Sequence, residues 1–199
     1  IINNKTNLTL TKSNGMIVNP RITGSYSGNG ILIANSTNIT IKNFIVEKWT
    51  NGVWLSNSVN CFVINNNISS NELSGITVSY GYSNLIGTNI IYGTNQDYGI
   101  YFTSGAHDNF IMSNDVGNNQ SYGIYFAAAS NNVISGNSVY SNDLYGIIFN
   151  NISAVNNTIS SNTIFGINQN IGIFSANGAH DNTILSNDIG NNQSTGIYF

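Results

Sequence analysis

Basic residues run out early in this chain. Its five Lys and Arg lie between Lys5 and Lys48, and from residue 49 to 199 only His107 and His180 are candidates for positive charge. A phosphate backbone finds no cationic footprint there, which excludes a nucleic-acid partner. Charged residues of both signs make up 7% of the sequence, far below the quarter usual in soluble domains, so the surface is polar but nearly uncharged. The single cysteine, Cys61, permits no internal disulfide. With no cation near it in sequence, it reads as a small corner side chain rather than a reactive thiol. Two histidines, one cysteine, Met16 and Met112 are too scattered for a zinc or copper site. No apolar run approaches the ~18 residues of a membrane span. No window sustains the i, i+3, i+4, i+7 spacing of a helix.

What the chain has is repetition. Eight times a glycine opens a short apolar stretch: Gly30-Ile31-Leu32-Ile33, Gly52-Val53-Trp54-Leu55, Gly75-Ile76-Thr77-Val78, Gly99-Ile100-Tyr101-Phe102, Gly123-Ile124-Tyr125-Phe126, Gly146-Ile147-Ile148-Phe149, Gly172-Ile173-Phe174-Ser175 and Gly196-Ile197-Tyr198-Phe199. These glycines stand 22 to 26 residues apart. A period of that size marks one supersecondary unit, too small to bury its own apolar face and completed by its neighbours. Between the glycines recurs N-x-I-x-x-N-x-[IV], as in Asn109-Phe110-Ile111-Met112-Ser113-Asn114-Asp115-Val116 and Asn157-Thr158-Ile159-Ser160-Ser161-Asn162-Thr163-Ile164. Each unit thus reads as three short strands with Asn-, Gly- and Ser-rich corners, coiled so that equivalent strands stack in parallel.

Stacking at roughly 4.8 Å per coil turns equivalent residues into columns. Two columns are almost pure asparagine: Asn38, Cys61, Asn84, Asn109, Asn132, Asn157, Asn182, and Asn43, Asn66, Asn89, Asn114, Asn137, Asn162, Asn187. Asparagine suits a corner because it tolerates the left-handed conformation and its amide can bond the amide above and below. Both columns are expected to be architectural.

The recurring N-x-I-x-x-N-x-I and G-I-x-[LF] units resemble the right-handed parallel β-helix family of NosD-like and CASH-type (carbohydrate-binding and sugar-hydrolase) domains, over about residues 30 to 199. The resemblance implies an all-β, single-stranded right-handed solenoid of about eight coils. It implies no one activity, since polysaccharide lyases and hydrolases, copper-processing proteins and non-catalytic surface proteins share the fold. Residues 1–29 break the period, with Gly15-Met16-Ile17-Val18 only 15 residues before Gly30, and read as an irregular cap or incomplete first coil. Gly105 to Phe126 recurs nearly unchanged as Gly178 to Phe199, which suggests a duplicated three-coil block within a longer array. The open final coil implies further chain or contact with another copy.

Candidate chemistry is sparse. The two His-Asp dipeptides, His107-Asp108 and His180-Asp181, sit three coils apart, roughly 14 Å, and read as products of duplication. Glu72 and Asp97, at one corner of adjacent coils, are the only candidate Ca²⁺ ligands, and no other cofactor is expected. Nine N-x-[ST] sequons occur, including Asn35, Asn67, Asn119, Asn151 and Asn192. With 39 Asn and 39 Ser plus Thr, chance alone gives about eight, so these remain bare glycosylation candidates. The strongest feature is an outward column on the Gly-Ile-x-x strands, aromatic at Trp54, Tyr101, Tyr125, Phe174 and Tyr198, with Tyr98, Tyr122 and Tyr145 beside it. Such a stripe can engage sugar rings or a neighbouring chain.

The expectation is a non-enzymatic extracellular or cell-surface structural protein that associates with copies of itself or with neighbouring domains of a longer chain. The alternative is a carbohydrate-binding β-helix with a polysaccharide partner, and behind it a polysaccharide lyase or hydrolase, which would need a carboxylate cluster that the spacing does not supply.

Overall fold

The structure, a computed structural model, describes residues 1–13 and 18–199; Gly15, Met16 and Ile17 of the irregular segment lie outside the described residues. Short extended segments wind into three parallel sheets. The first sheet has nine strands, from Ile2–Asn3 and Asn29–Ala34 to Thr195–Tyr198, and holds every Gly-Ile-x-x segment. The second has eight, from Thr6–Leu10 to Thr183–Leu185, and the third has eight, from Arg21–Thr23 to Asp188–Gly190. Each strand pairs with its equivalents one coil away, three strands distant in sequence. Ile2–Asn3, Thr6–Leu10 and Arg21–Thr23 contribute one strand to each sheet, so the described part of this segment forms a first coil.

One inward residue per half-pleat fills the axis. Ile31, Val53, Ile76, Ile100, Ile124, Ile147 and Ile173 stack in register on the first sheet, as do Ile86, Ile111, Ile134 and Ile159 on the second and Ile68, Ile91, Val116 and Val139 on the third. Nearly all are fully buried, each worth about 1.5–3 kcal/mol of hydrophobic stabilisation. Phe102, Phe126 and Phe149 add a stack inside the coil with ring centroids 5.0 Å apart.

The asparagine columns run as hydrogen-bonded ladders, with two corrections. Asn109 shows the pattern: its Nδ2 donates to Gly81 O and Asn132 Oδ1, while its Oδ1 accepts from the backbone N–H and the amide of Asn84. The left-handed conformation, however, belongs to the residue before each ladder asparagine: Ser83, Asp108, Asn131 and Asn156 at one corner, Asn65, Thr88, Ser113 and Ser161 at the other. The ladder residue itself turns its amide inward, and its predecessor makes the bend. For the same reason Asn38 and Asn43 stand off the ladders. Register places Ile39 above Cys61, and Phe44 donates its N–H to Asn66 Oδ1 as a ladder residue would, leaving Asn38 and Asn43 in the left-handed slots.

A third ladder occupies the remaining corner: Asn71, Gln96, Asn119, Asn142, Gln169 and Asn192 pass hydrogen bonds from amide to amide. All but Asn192 are essentially unexposed. Its mixed composition has a geometric cause. The asparagines lie four residues before the next strand glycine, whereas Gln96 and Gln169 lie three before Gly99 and Gly172. Where the corner is one residue shorter, the extra methylene of glutamine carries the amide to the same place.

This ladder also explains the glycines. A Cβ on Gly52, Gly75, Gly99, Gly123, Gly146 or Gly172 would lie 2.5–2.7 Å from the next coil's glycine carbonyl, 2.4–2.8 Å from a core methyl of the third sheet and 2.8–3.0 Å from a third-ladder amide. None of these glycines needs a positive φ; close approach alone demands them.

Candidate functional site

The first sheet turns its outer face to solvent. Register aligns Leu32, Trp54, Thr77, Tyr101, Tyr125, Ile148, Phe174 and Tyr198 in one column, in which Thr77 and Ile148 are buried. Beside it, Tyr98, Tyr122 and Tyr145 stand directly over one another. The glycine and the following inward residue let two side chains of one strand, such as Tyr98 and Tyr101, meet on the outside. Their rings stack at 4.7 Å, and Tyr98 also stacks on Tyr122 at 5.4 Å, so both its faces are covered. Tyr125 meets Tyr98 and Tyr101 edge-on at 5.3 and 5.5 Å. The contacts continue through Tyr122 to Tyr145, then Phe174, then Tyr198. The stripe is therefore a fused cluster. It presents ring edges and phenol hydroxyls more than open platforms.

Polar groups border it. Asn150 Nδ2 donates to Tyr125 Oη, and Asn177 Nδ2 donates to Asn150 Oδ1. Trp54 Nε1 donates to Ser79 Oγ at 2.9 Å. Toward the N-terminal coils the Tyr98 column gives way to Ser74, Asn51 and Asn29, joined with Thr77 by side-chain hydrogen bonds. At the other end a hollow of roughly 350 Å³ is lined by Phe174, Ala176, Gly178 and Tyr198.

Crowding keeps the cluster neutral. Burial, then the neighbouring tyrosines and Asp97, pushes Tyr98 up to about 12, and burial followed by Tyr125, Tyr145 and Asp97 raises Tyr122. On the third sheet Tyr140, stacked on Phe165 and lying over Gly117, is pushed up to about 12 by burial and then by Asp115. A phenol raised above its ordinary value of 10 favours the fold while protonated, so this contribution is complete below pH 10 and drains as pH rises through 12. Alkaline unfolding should therefore steepen in that window, and Tyr98→Phe should flatten it. An unchanged slope in the variant, measured by denaturation at successive pH values, would contradict this.

The other candidates are placed separately. Glu72 and Asp97 directly follow ladder residues Asn71 and Gln96, so they occupy equivalent points on adjacent coils, Glu72 exposed and Asp97 half-buried. Among the described residues, no three His, Cys, Asp or Glu side chains gather as a metal site. His107 Nδ1 lies 2.8 Å from Asp108 Oδ2 and its ring stacks on Tyr82, on the corner between the first and second sheets; His180 and Asp181 repeat the pair at the same distance. Burial pushes the Cys61 thiol up, as expected of an inert side chain. Among the sequons, Asn35 is exposed and bonded to Asn3 and Asn57, Asn151 accepts from Ser153 N–H, and Asn67 buries its Oδ1. Asn119 and Asn192 belong to the third ladder; at 1% exposure, with its amide held by Asn142, Asn119 leaves no room for a glycan.

Three parallel sheets around one apolar axis, with amide ladders at the corners and an aromatic outer face, define a parallel β-solenoid. Residues 29–189 match the family model of the right handed beta helix region, and the chain belongs to that family. No sequence among curated proteins matches it. Similar solved structures include the A-module of the Azotobacter vinelandii mannuronan C-5 epimerase AlgE4, at 17% identity and a TM-score of 0.61 over 86% of this chain and 61% of that one. An alginate lyase from Paenibacillus sp. str. FPU-7 superposes with a TM-score of 0.64 at 15% identity over 96% of this chain and 81% of the lyase. The Dettilon tailspike protein gives 0.63 at 16% over 97% and 61%. The chain thus spans about three-fifths of the epimerase module. These likenesses concern the fold. The expectation of a non-enzymatic, self-associating structural protein is nevertheless corrected by them, since two of these three similar structures bear the names of a mannuronan epimerase and an alginate lyase. Among the described residues, no helix is long and apolar enough to cross a membrane.

Proposed function

We propose that this chain is the carbohydrate-engaging β-helix of a polysaccharide-active protein placed outside the cell or at its surface, and that it holds a glycan along the outer face of the first sheet. The observation that carries this reading is the fused cluster of Tyr98, Tyr101, Tyr122, Tyr125 and Tyr145, continued by Phe174 and Tyr198. Sugars combine apolar C–H faces with a rim of hydroxyls. A surface of ring edges, neutral phenols and the amides of Asn150 and Asn177 matches both, because aromatic side chains bury large areas while keeping a polar tip. The repeating coil adds one such row every ~4.8 Å, so successive rows can meet successive parts of an extended polymer. The names of the epimerase and the lyase support the same class of partner. Affinity electrophoresis through polysaccharide-loaded gels tests the reading. Tyr101→Ala and Tyr125→Ala are each expected to weaken retention at least tenfold, and Trp54→Ala less, since its indole N–H is already held by Ser79. Retention unchanged in both tyrosine variants would place the site elsewhere.

A further inference from the structure

We infer that the glycan accepted by this face is uncharged, in contrast to the polyuronates in the names of the similar structures. The inference rests on the assignment of the tyrosine face as the binding surface. Its evidence is the distribution of charge around that face. From residue 49 onward the chain carries seven carboxylates, the eight of the whole chain less Glu47, and no Lys or Arg. The corner that feeds the first sheet places Glu72, Asp97 and Asp143 directly after ladder residues Asn71, Gln96 and Asn142, beside the Tyr98 column. Asp97 is close enough to Tyr98 and Tyr122 to resist ionisation of both. At the opposite corner stand Asp108 and Asp181, each carrying its histidine.

A polyuronate laid along the face would run beside the row of Glu72, Asp97 and Asp143, with Asp97 close enough to act on Tyr98 and Tyr122, and repulsion of this kind reaches ~8 Å at physiological salt. No guanidinium or ammonium is there to receive its carboxylates, the group for which arginine is usually chosen. The cations of the chain lie at the other end, and Arg21 is already paired with Glu47 at 2.5 Å on the third sheet. A bridging divalent ion has little to hold it, since no three potential ligands converge among the described residues. Every group that the face itself offers is neutral: phenol, indole, amide and hydroxyl. Hydroxyl recognition by neutral donors and acceptors needs no counter-charge, and a glycan that brings none avoids the repulsion.

The test is affinity electrophoresis of the full chain in gels loaded with neutral polymers (β-glucan, mannan, xylan, galactan) or with polyuronates (alginate, polygalacturonate), at low and high salt, with and without Ca²⁺. Retention by at least one neutral polymer is expected, with affinity changing less than about twofold between the salt conditions. No polyuronate should retain the chain at low salt. Polyuronate retention equal to or stronger than that of every neutral polymer, with or without Ca²⁺, would overturn the inference. If that retention is lost in Tyr101→Ala, the tyrosine face remains the site and only the substrate class is wrong. Neutral-polymer retention that survives Tyr101→Ala and Tyr125→Ala removes the face and the inference built on it, and so does the absence of retention by any polymer.

Discussion

Replacing Gly99 by alanine is expected to destabilise the coil by about 3–5 kcal/mol, enough to unfold a marginal domain. The added methyl would lie 2.4 Å from Val116 Cγ1, 2.6 Å from the Gly123 carbonyl oxygen and 3.0 Å from Asn119 Nδ2. Two of these three neighbours cannot swing away: the carbonyl belongs to the next strand of the sheet, and the amide is locked between Gln96 and Asn142. Relief requires the coils to separate, which costs sheet hydrogen bonds on both sides. Gly190→Ala is the control, because nothing lies within 4 Å of its Cβ direction and its φ is not positive. It should change stability by less than about 0.5 kcal/mol. Urea denaturation of the two variants separates close approach from a general intolerance of side chains at glycine. Equal effects would refute the packing explanation.

Asn109→Ala should cost a comparable 3–5 kcal/mol, for an electrostatic reason. The side chain supplies the acceptor for Asn84 N–H at 3.0 Å and for the Asn84 amide at 3.0 Å, and the donor for Gly81 O at 3.0 Å. Truncation leaves the Asn84 backbone N–H buried without its acceptor and takes one of two donors from the Gly81 carbonyl, which keeps the His107 N–H at 3.1 Å; water has no path to them, since Asn84 and Asn109 are both fully buried. Asn38→Ala offers the contrast. Asn38 occupies a left-handed corner with φ 56°, and among the described residues its side chain bonds only that of Asn7, on the surface. Its loss should cost about 1 kcal/mol, the preference of asparagine over alanine in that conformation. Thermal or chemical denaturation of the pair distinguishes a ladder residue from its neighbour. A cost for Asn38→Ala equal to that for Asn109→Ala would return Asn38 to the ladder.

Much of the architecture is legible without coordinates because a solenoid has one free parameter, the period. Once Gly75, Gly99, Gly123 and Gly146 repeat, the facing of Tyr101 over Tyr125 follows from strand alternation. Two ladders could be read for the same reason, since five consecutive coils keep the spacing between their asparagines. The third could not, because its residues change identity and sit three or four positions before the strand glycine. Sequence spacing puts Asn38 and Asn43 one residue out of place, because it does not distinguish an asparagine in the left-handed bend from one in the slot that follows. The outward tyrosines were visible as a column, but their mutual stacking was not. Ring orientation is settled by contacts between side chains, here Tyr98 caught between Tyr101 and Tyr122.

A stack of parallel coils, the identity of the inward residues and the lack of any Lys or Arg after Lys48 are legible from the chain alone. All three are properties of order and composition, fixed before any contact forms. Why the glycines are needed, where the third ladder runs and how the tyrosines meet on the outer face emerge only once the coils are stacked. Each of those depends on atoms about 24 residues apart meeting within a few ångströms, a relation that exists only after one coil has been laid upon another.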